Sequence, residues 1–262
     1  MHRMKFTIKI KNKLLGIIPF ALVLVLWYVF YYFEITPQWL IPSPYETFLT
    51  LIELIKDGTI FELVLISATN AIPAFLLSLI AAVLLGTLIG INETIRKICF
   101  PFLSAFYPIP SLAWLPLIIL FLGFTKEAIW VVIFISSFRK IIYNVIAGVR
   151  NVKGSWILAG KNLGLSRFEI VMKIILPGAF PQIMTGIRMG FGSSWRSLIS
   201  AEMLIAAAGG IGKFIWMAQW FLSFEKVIIG IAIIALIGLG IEELVFKKLE
   251  KKTLGKWGFI QE

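Results

Sequence analysis

The side chains best able to do chemistry inside this 262-residue chain fall in one stretch: Arg188, Ser193, Ser194, Arg196, Ser197 and Ser200. Hydroxyls and guanidinium groups in an otherwise apolar segment suit the passage of an anion, because ionisable groups at membrane depth usually face a cavity or a partner. Arg196 follows Arg188 by eight residues, about 80° round a helix. Two readings stand side by side. In one, Arg188, Ser193, Arg196 and Ser197 line a substrate pathway. In the other, the arginines are structural, pairing with Glu202 or reaching an interface along their aliphatic stems. For Arg188 the structural reading is preferred; for Arg196 the two balance.

Bond-making chemistry finds no support. A phosphate cradle of the form G-x-x-x-x-G-K-[ST] needs backbone amides around the phosphates, a lysine for their charge and a hydroxyl for Mg²⁺. The nearest string, Gly154 to Asn162, has one residue too many before Gly160 and ends in Asn162 where the hydroxyl belongs. His2 is the only histidine and Cys99 the only cysteine, which excludes histidine-based triads and metal sites and any internal disulfide. No G-x-S-x-G elbow is present. No catalytic residue, resident metal or cofactor is expected.

The elements that must position these residues follow from composition. Hydrophobic residues make up 59% of the chain and charged residues only 15%, too few to cover a soluble surface of this size. The apolar residues run in blocks of about twenty, enough to cross a core of roughly 30 Å as helix. Such runs must satisfy their own backbone hydrogen bonds, so the fold class is all-α: a polytopic membrane protein with about six transmembrane helices. The spans are expected at 14–33, 63–91, 99–122, 128–148, 177–207 and 227–246. The third, with Pro101, Pro108, Pro110 and Pro116, should begin irregularly and become helical from about Ser111. Residues 208–226, aromatic and glycine-rich, read as interfacial or re-entrant, with Trp216, Trp220, Phe221 and Phe224 anchored at the outer interface. No repeat or long linker divides the chain, so residues 1–262 are expected to form a single domain.

The net charge of +11 is a topology signal rather than a nucleic-acid surface, because the basic residues cluster beside the apolar runs. The N-terminus, the 92–98 loop, the 149–173 loop and the tail hold 5, 2, 5 and 5 lysines or arginines; the other loops hold 1, 1 and 2. Both termini are therefore expected in the cytoplasm of a multi-pass cell-membrane protein. Arg139 and Lys140 should mark the cytoplasmic end of the fourth span. The G-x-x-x-G pairs Gly86/Gly90 and Gly186/Gly190 allow close helix approach, preferably within one chain rather than at a dimer seam.

The loop from Asn151 to Pro177 carries the densest local pattern. Val152, Trp156, Ala159 and Leu163 share one helical face by spacing. Gly164 stands where a helix end wants a residue free of a β-carbon, Ser166 and Glu169 form a capping box, and Pro177 should end or kink the second helix. Two short helices at a sharp angle are predicted.

Read as a string, the loop is Leu158, Ala159, Gly160, then Gly164, then Ile174, Leu176 and Pro177. This resembles the EAA loop, E-A-A-x3-G-x9-I-x-L-P, of permease subunits of ABC importers. Leu158 stands where the pattern has its glutamate and Gly160 where it has its second alanine. Further strings resemble the nitrate, sulfonate, taurine and bicarbonate branch: Leu40 to Pro44, Ile109 to Pro116, Gly186 to Arg188, Ala201 to Leu204, and Gly209 to Gly212. The resemblance implies a type I ABC importer transmembrane domain, paired with a second copy in a homodimer and surrounded by membrane lipid. It implies that loop 151–177 seats in a separate ABC ATPase subunit. It also implies that an extracytoplasmic solute-binding protein delivers a small solute, of which an oxyanion is the expected kind. A self-contained secondary transporter or channel is the alternative, but paired broken helices in two related halves are not evident. A membrane-embedded enzyme would need acids or histidines clustered at membrane depth.

Overall fold

The computed structural model describes residues 18–19, 21–34, 40–205 and 209–254, with side chains to residue 250, and among these residues the regular structure is all helical. The helices are α1 (Ala21–Tyr32), α2 (Pro44–Lys56), α3 (Thr59–Ile91), α4 (Glu93–Phe106), α5 (Leu115–Leu122), α6 (Lys126–Arg150), α7 (Gly154–Asn162), α8 (Arg167–Leu204), α9 (Gly210–Trp220) and α10 (Phe224–Glu250). Four of them, α3, α6, α8 and α10, are long and apolar enough to cross a membrane. A fifth crossing results if α4 and the segment Ser111–Leu122 form one span broken by an 88° bend. The expected first span, 14–33, lies partly outside the described residues; its described part includes α1.

By contacts the chain divides into two compact units, residues 1–60 with 215–231 and residues 61–214 with 232–262. In the first, Trp27 Nε1 of α1 donates to the Pro42 carbonyl at 3.1 Å. Ser43 then caps α2 in a full capping box with Glu46, and Pro44, lacking an N–H, occupies the first turn where none is needed.

The second unit is organised round α6. Ile129, Ile133, Ile141, Ile142 and Val145 of this helix are fully buried or nearly so, at the three- and four-residue spacing of a helix that meets neighbours on several sides. Its most extensive partner is α8. Both G-x-x-x-G pairs press against it: a β-carbon on Gly86 or Gly90 would come within 2.9 or 2.7 Å of Val145 or Val149. One on Gly186 or Gly190 would come within 2.6 Å of Asn144 or Ile141. The close approach thus lies within one chain, where dispersion rather than hydrophobicity holds membrane helices together. On the other side of α3, Leu76, Leu77, Ile80 and Leu84 remain exposed, as a lipid-facing surface requires.

Two expectations change here. The lead-in to the third span is not irregular: Asn92 accepts the Thr94 and Ile95 amides and starts a fourteen-residue helix that contains Pro101. The irregular part is confined to the turn between Phe106 and Ser111, where Pro108 and Pro110 fall. Pro177 neither ends nor sharply kinks a helix, because α8 runs unbroken for 38 residues. A π-turn at Val171–Ile175, in which Leu176 N–H reaches the Val171 carbonyl, precedes the proline. This widened turn accommodates a residue that has no N–H and whose ring would crowd the preceding turn.

Candidate functional site

The α7–α8 connection is built from local bonds that close in sequence order. Gly164 has φ +78°, a conformation that disfavours a β-carbon. Its N–H donates to Lys161 O at 3.0 Å, and Leu165 N–H reaches back to Gly160 O at 3.1 Å, the two bonds of a Schellman stop. Two residues on, Ser166 Oγ accepts the Glu169 N–H at 3.3 Å while the Glu169 carboxylate accepts the Ser166 N–H at 3.0 Å. Lys173 donates to the same carboxylate at 2.8 Å. The Lys173 bond, with the Ser166 amide and hydroxyl behind it, holds the Glu169 carboxyl down at about 2.

Gly160 is buried against α8, where an added β-carbon would stand 2.4 Å from Ile174 Cδ1. Leu176 packs on the buried core of the unit. Trp156, Ala159, Leu163, Ile174 and Pro177 line an open groove of about 490 Å³. Leu163 is 80% exposed, and Leu158 is exposed on the rim of α7. The four-residue face expected from spacing divides: Val152 is buried, but Trp156, Ala159 and Leu163 are exposed. The reason is that α7 starts only at Gly154, so Val152 precedes the helix and does not share its register.

Of the residues singled out for the pathway, Ser193 and Ser197 meet at Ser136, while the two arginines lie apart from them. Arg188 pairs with Glu242 and lies 3.5 Å from Glu250, tying α8 to α10. Ser197 Oγ bonds Ser136 and Ser111, both at 2.9 Å, and Ser193 bonds Ser136 at 2.8 Å. These serines join α8 to α6 and to the turn after Pro110, as polar side chains do between membrane helices. Arg196 is exposed and has no ion pair among the described residues.

Neither arginine meets Glu202. That carboxylate is 0% exposed and accepts from Ser67 Oγ at 2.9 Å, Asn70 Nδ2 at 3.1 Å and Gly212 N at 3.0 Å. Ser67 in turn accepts the Ile211 N–H at 3.0 Å. The carboxylate therefore sits at the positive end of α9, serving as its cap from another helix.

Arg139 and Lys140 are also displaced from their expected position. They lie in the middle of the 25-residue α6, which continues to Arg150 before the loop begins. Arg139 Nη1 donates to the carbonyls of Tyr107 (2.7 Å) and Ile109 in the broken span, and Lys140 Nζ to Tyr107 Oη at 3.0 Å. The prolines that break the helix there were visible in the sequence; that a cation in the middle of α6 would bond the open carbonyls of the break was not.

Residues 74–245 match the family described as binding-protein-dependent transport system inner membrane component. The chain is 30% identical over 252 residues to the taurine transport system permease protein of Escherichia coli, covering 94% of this chain and 91% of that one. It is 33% identical to the nitrate import permease protein of Leptolyngbya laminosa, over 72% of this chain and 67% of that one. It is 30% identical to the bicarbonate transport system permease protein of Synechococcus elongatus, over 72% and 68% respectively.

Proposed function

The chain belongs to the family of inner membrane components of binding-protein-dependent transport systems and is a permease subunit of an ABC importer; from that premise we propose how its parts divide the work. Residues 1–262 act as one permease domain, with both termini and loop 151–177 in the cytoplasm. A separate ATPase subunit hydrolyses ATP and grips the loop by Leu158, Leu163 and the groove beside them. A second copy of the chain completes the translocation pathway, with lipid round the pair. An extracytoplasmic solute-binding protein delivers the cargo, a small oxyanion of the kind named for the relatives: taurine, nitrate or bicarbonate. Arg196 supplies pathway charge, while Arg188, Ser193 and Ser197 hold the pathway helix in place.

The observation that carries the coupling assignment is the double stop between α7 and α8. A Schellman turn followed at once by a capping box fixes the angle between the helices from both sides. Exposed apolar side chains on so stiff a projection need a partner. Because α8 continues from the loop through the whole span, a push on α7 is delivered to that span without an intervening hinge. Transmission by discrete packings is what such rigid elements allow.

Gly164→Val tests the assignment. An added β-carbon at 164 meets nothing within 4 Å, so the variant changes only the backbone preference, by about 1–2 kcal/mol. The expected result is reduced retention of the ATPase subunit in co-purification, with thermal unfolding of the permease in detergent little changed. Gly164→Asn, which tolerates the left-handed region, should retain more. Undiminished association in Gly164→Val would remove the loop from the docking surface.

A further inference from the structure

We propose that the cavity between the ends of α3 and α6 and the α7–α8 turn holds the headgroup of an anionic phospholipid. Its phosphate lies among three cations, and the root of its acyl chains rests on the apolar wall beside them. The inference rests on the importer reading, which puts this end of the spans in the cytoplasm. It adds a ligand to a face of the loop that the ATPase groove does not use.

The cavity measures about 620 Å³, within the range of small-molecule sites. Arg150, Lys161 and Arg167 line it, and all three are exposed. They come from three elements: the last turn of α6, the last turn of α7 and the first turn of α8. The fold, rather than a run of basic residues, brings them together. None has an ion pair among the described residues. Arg150 acts on Glu93 through space, but that carboxylate is bonded to Arg96 and does not line the cavity. Glu169 is likewise taken up by Ser166 and Lys173. Arg150 and Lys161 suit the negative ends of their own helices. Arg167 does not: it stands at the positive end of α8, where the helix dipole opposes a cation. An anion held among the three resolves that conflict.

The rest of the wall selects the anion. Leu88 and Ile91 of α3, both exposed, and Ile157 of α7 line the cavity beside the cations. Because α3 ends at Ile91 and α6 at Arg150, the site stands where two spans leave the membrane. Apolar wall followed by cations is the order a lipid presents from acyl chain to phosphate, and basic pockets between spans on the cytoplasmic side take anionic headgroups in this way. A free phosphate would meet the cations and leave the apolar wall in water. A zwitterionic lipid would bring a fourth cation to the three. An acidic segment of the ATPase fits less well, because the groove round Ala159, Leu163 and Ile174 shares no lining residue with this cavity. Ile157 and Lys161, four residues apart, give α7 a second face.

The probe is radiolabelled phosphatidylglycerol, titrated onto the permease–ATPase complex in nonionic detergent. The expected result is saturable binding, at least about tenfold tighter than that of phosphatidylcholine. Glycerol 3-phosphate and inorganic phosphate should fail to compete. A basic residue near the headgroups is worth about fivefold in affinity, so Arg150→Gln with Arg167→Gln should weaken binding about twentyfold. Lys97→Gln with Lys248→Gln removes the same charge from exposed residues outside the cavity and should leave binding unchanged. Equal weakening by the two pairs would overturn the proposal, reducing the attraction to diffuse surface charge. So would parental binding after loss of Arg150 and Arg167, equal binding of phosphatidylcholine, or no saturable binding at all. Displacement by glycerol 3-phosphate as effective as by unlabelled lipid would also overturn it, assigning the cavity to a soluble phosphate ester. Co-elution of the ATPase subunit is scored on the same samples. An intact complex that fails to bind defeats this inference alone, whereas failure to form the complex defeats the importer reading.

Discussion

The α7–α8 turn and the cluster round Glu202 are both fixed by hydrogen bonds to a carboxylate, yet they are built at opposite sequence ranges. Glu169 bonds residues three and four positions away. Glu202 bonds Ser67 and Asn70 at separations of 135 and 132 residues. The first is exposed and stabilises an angle between two helices. The second is buried and closes a junction of α3, α8 and α9. Local bonds of the first kind form as soon as the turn does, and solvent can replace them. Bonds of the second kind exist only once the helices are packed, and nothing replaces them when one partner is lost.

The contrast breaks if removing Glu202 proves harmless. Glu202→Ala removes the acceptor that the Ser67 hydroxyl, the Asn70 amide and the Gly212 N–H share in a buried site. A buried donor left unsatisfied costs about 1–3 kcal/mol, so Ser67 and Gly212 alone give an expected loss of at least about 2 kcal/mol in reversible unfolding from detergent micelles. Glu202→Gln keeps one acceptor oxygen and turns a donor toward other donors, which places it between the alanine variant and the parent. Hydrogen exchange at Gly212 should accelerate in both, more in alanine. Parental stability in Glu202→Ala would reduce the cluster to the rank of the surface turn.

A smaller effect is expected from the turn. Ser166→Ala removes the acceptor for the Glu169 amide, for which a loss of about 1 kcal/mol is usual. Because the site is exposed, the change should appear as local fraying, read as faster amide exchange confined to the first turn of α8, without a measurable shift in global unfolding. A global loss as large as that of Glu202→Ala would erase the distinction between the two regions.

The same distinction governs how much was legible in the sequence. Gly164 and the Ser166–Glu169 box could be read directly, because their partners lie within five residues. The long apolar runs gave the spans for the same reason: the hydrogen bonds of a helix are internal to it. The partners of Glu202 and Arg188 could not be read, since pairing across helices depends on register and rotation that hydropathy does not encode. Arg188 pairs with Glu242, 54 residues away, not with Glu202 on its own helix. Arg139 and Lys140 were misplaced because a charged pair in an apolar run imitates a span boundary. Here the bonds that Arg139 makes to the carbonyls of a neighbouring broken helix let the apolar run continue past it. Pro177 misled in the opposite sense, since a π-turn lets a helix carry a proline that would otherwise stop it.

The finest division between the two regions is by acidity, and the turn provides it. Glu169 titrates at about 2 rather than at its ordinary 4.5, chiefly through Lys173 and then Ser166. A carboxyl depressed on folding contributes stability that is fully present above about pH 4.5 and disappears as pH falls through about 2. The α7–α8 angle should therefore be indifferent to pH between 5 and 8. A ¹³C-carboxyl titration of the detergent-solubilised chain should place the Glu169 midpoint near 2, and Lys173→Met should move it up toward 4.5, because the largest cause is then gone. Amide exchange at Ser166 should follow the same midpoint. A Glu169 midpoint at the ordinary value in the parent chain would mean that the capping box is open in solution. The turn could then no longer set the angle at which α7 is presented.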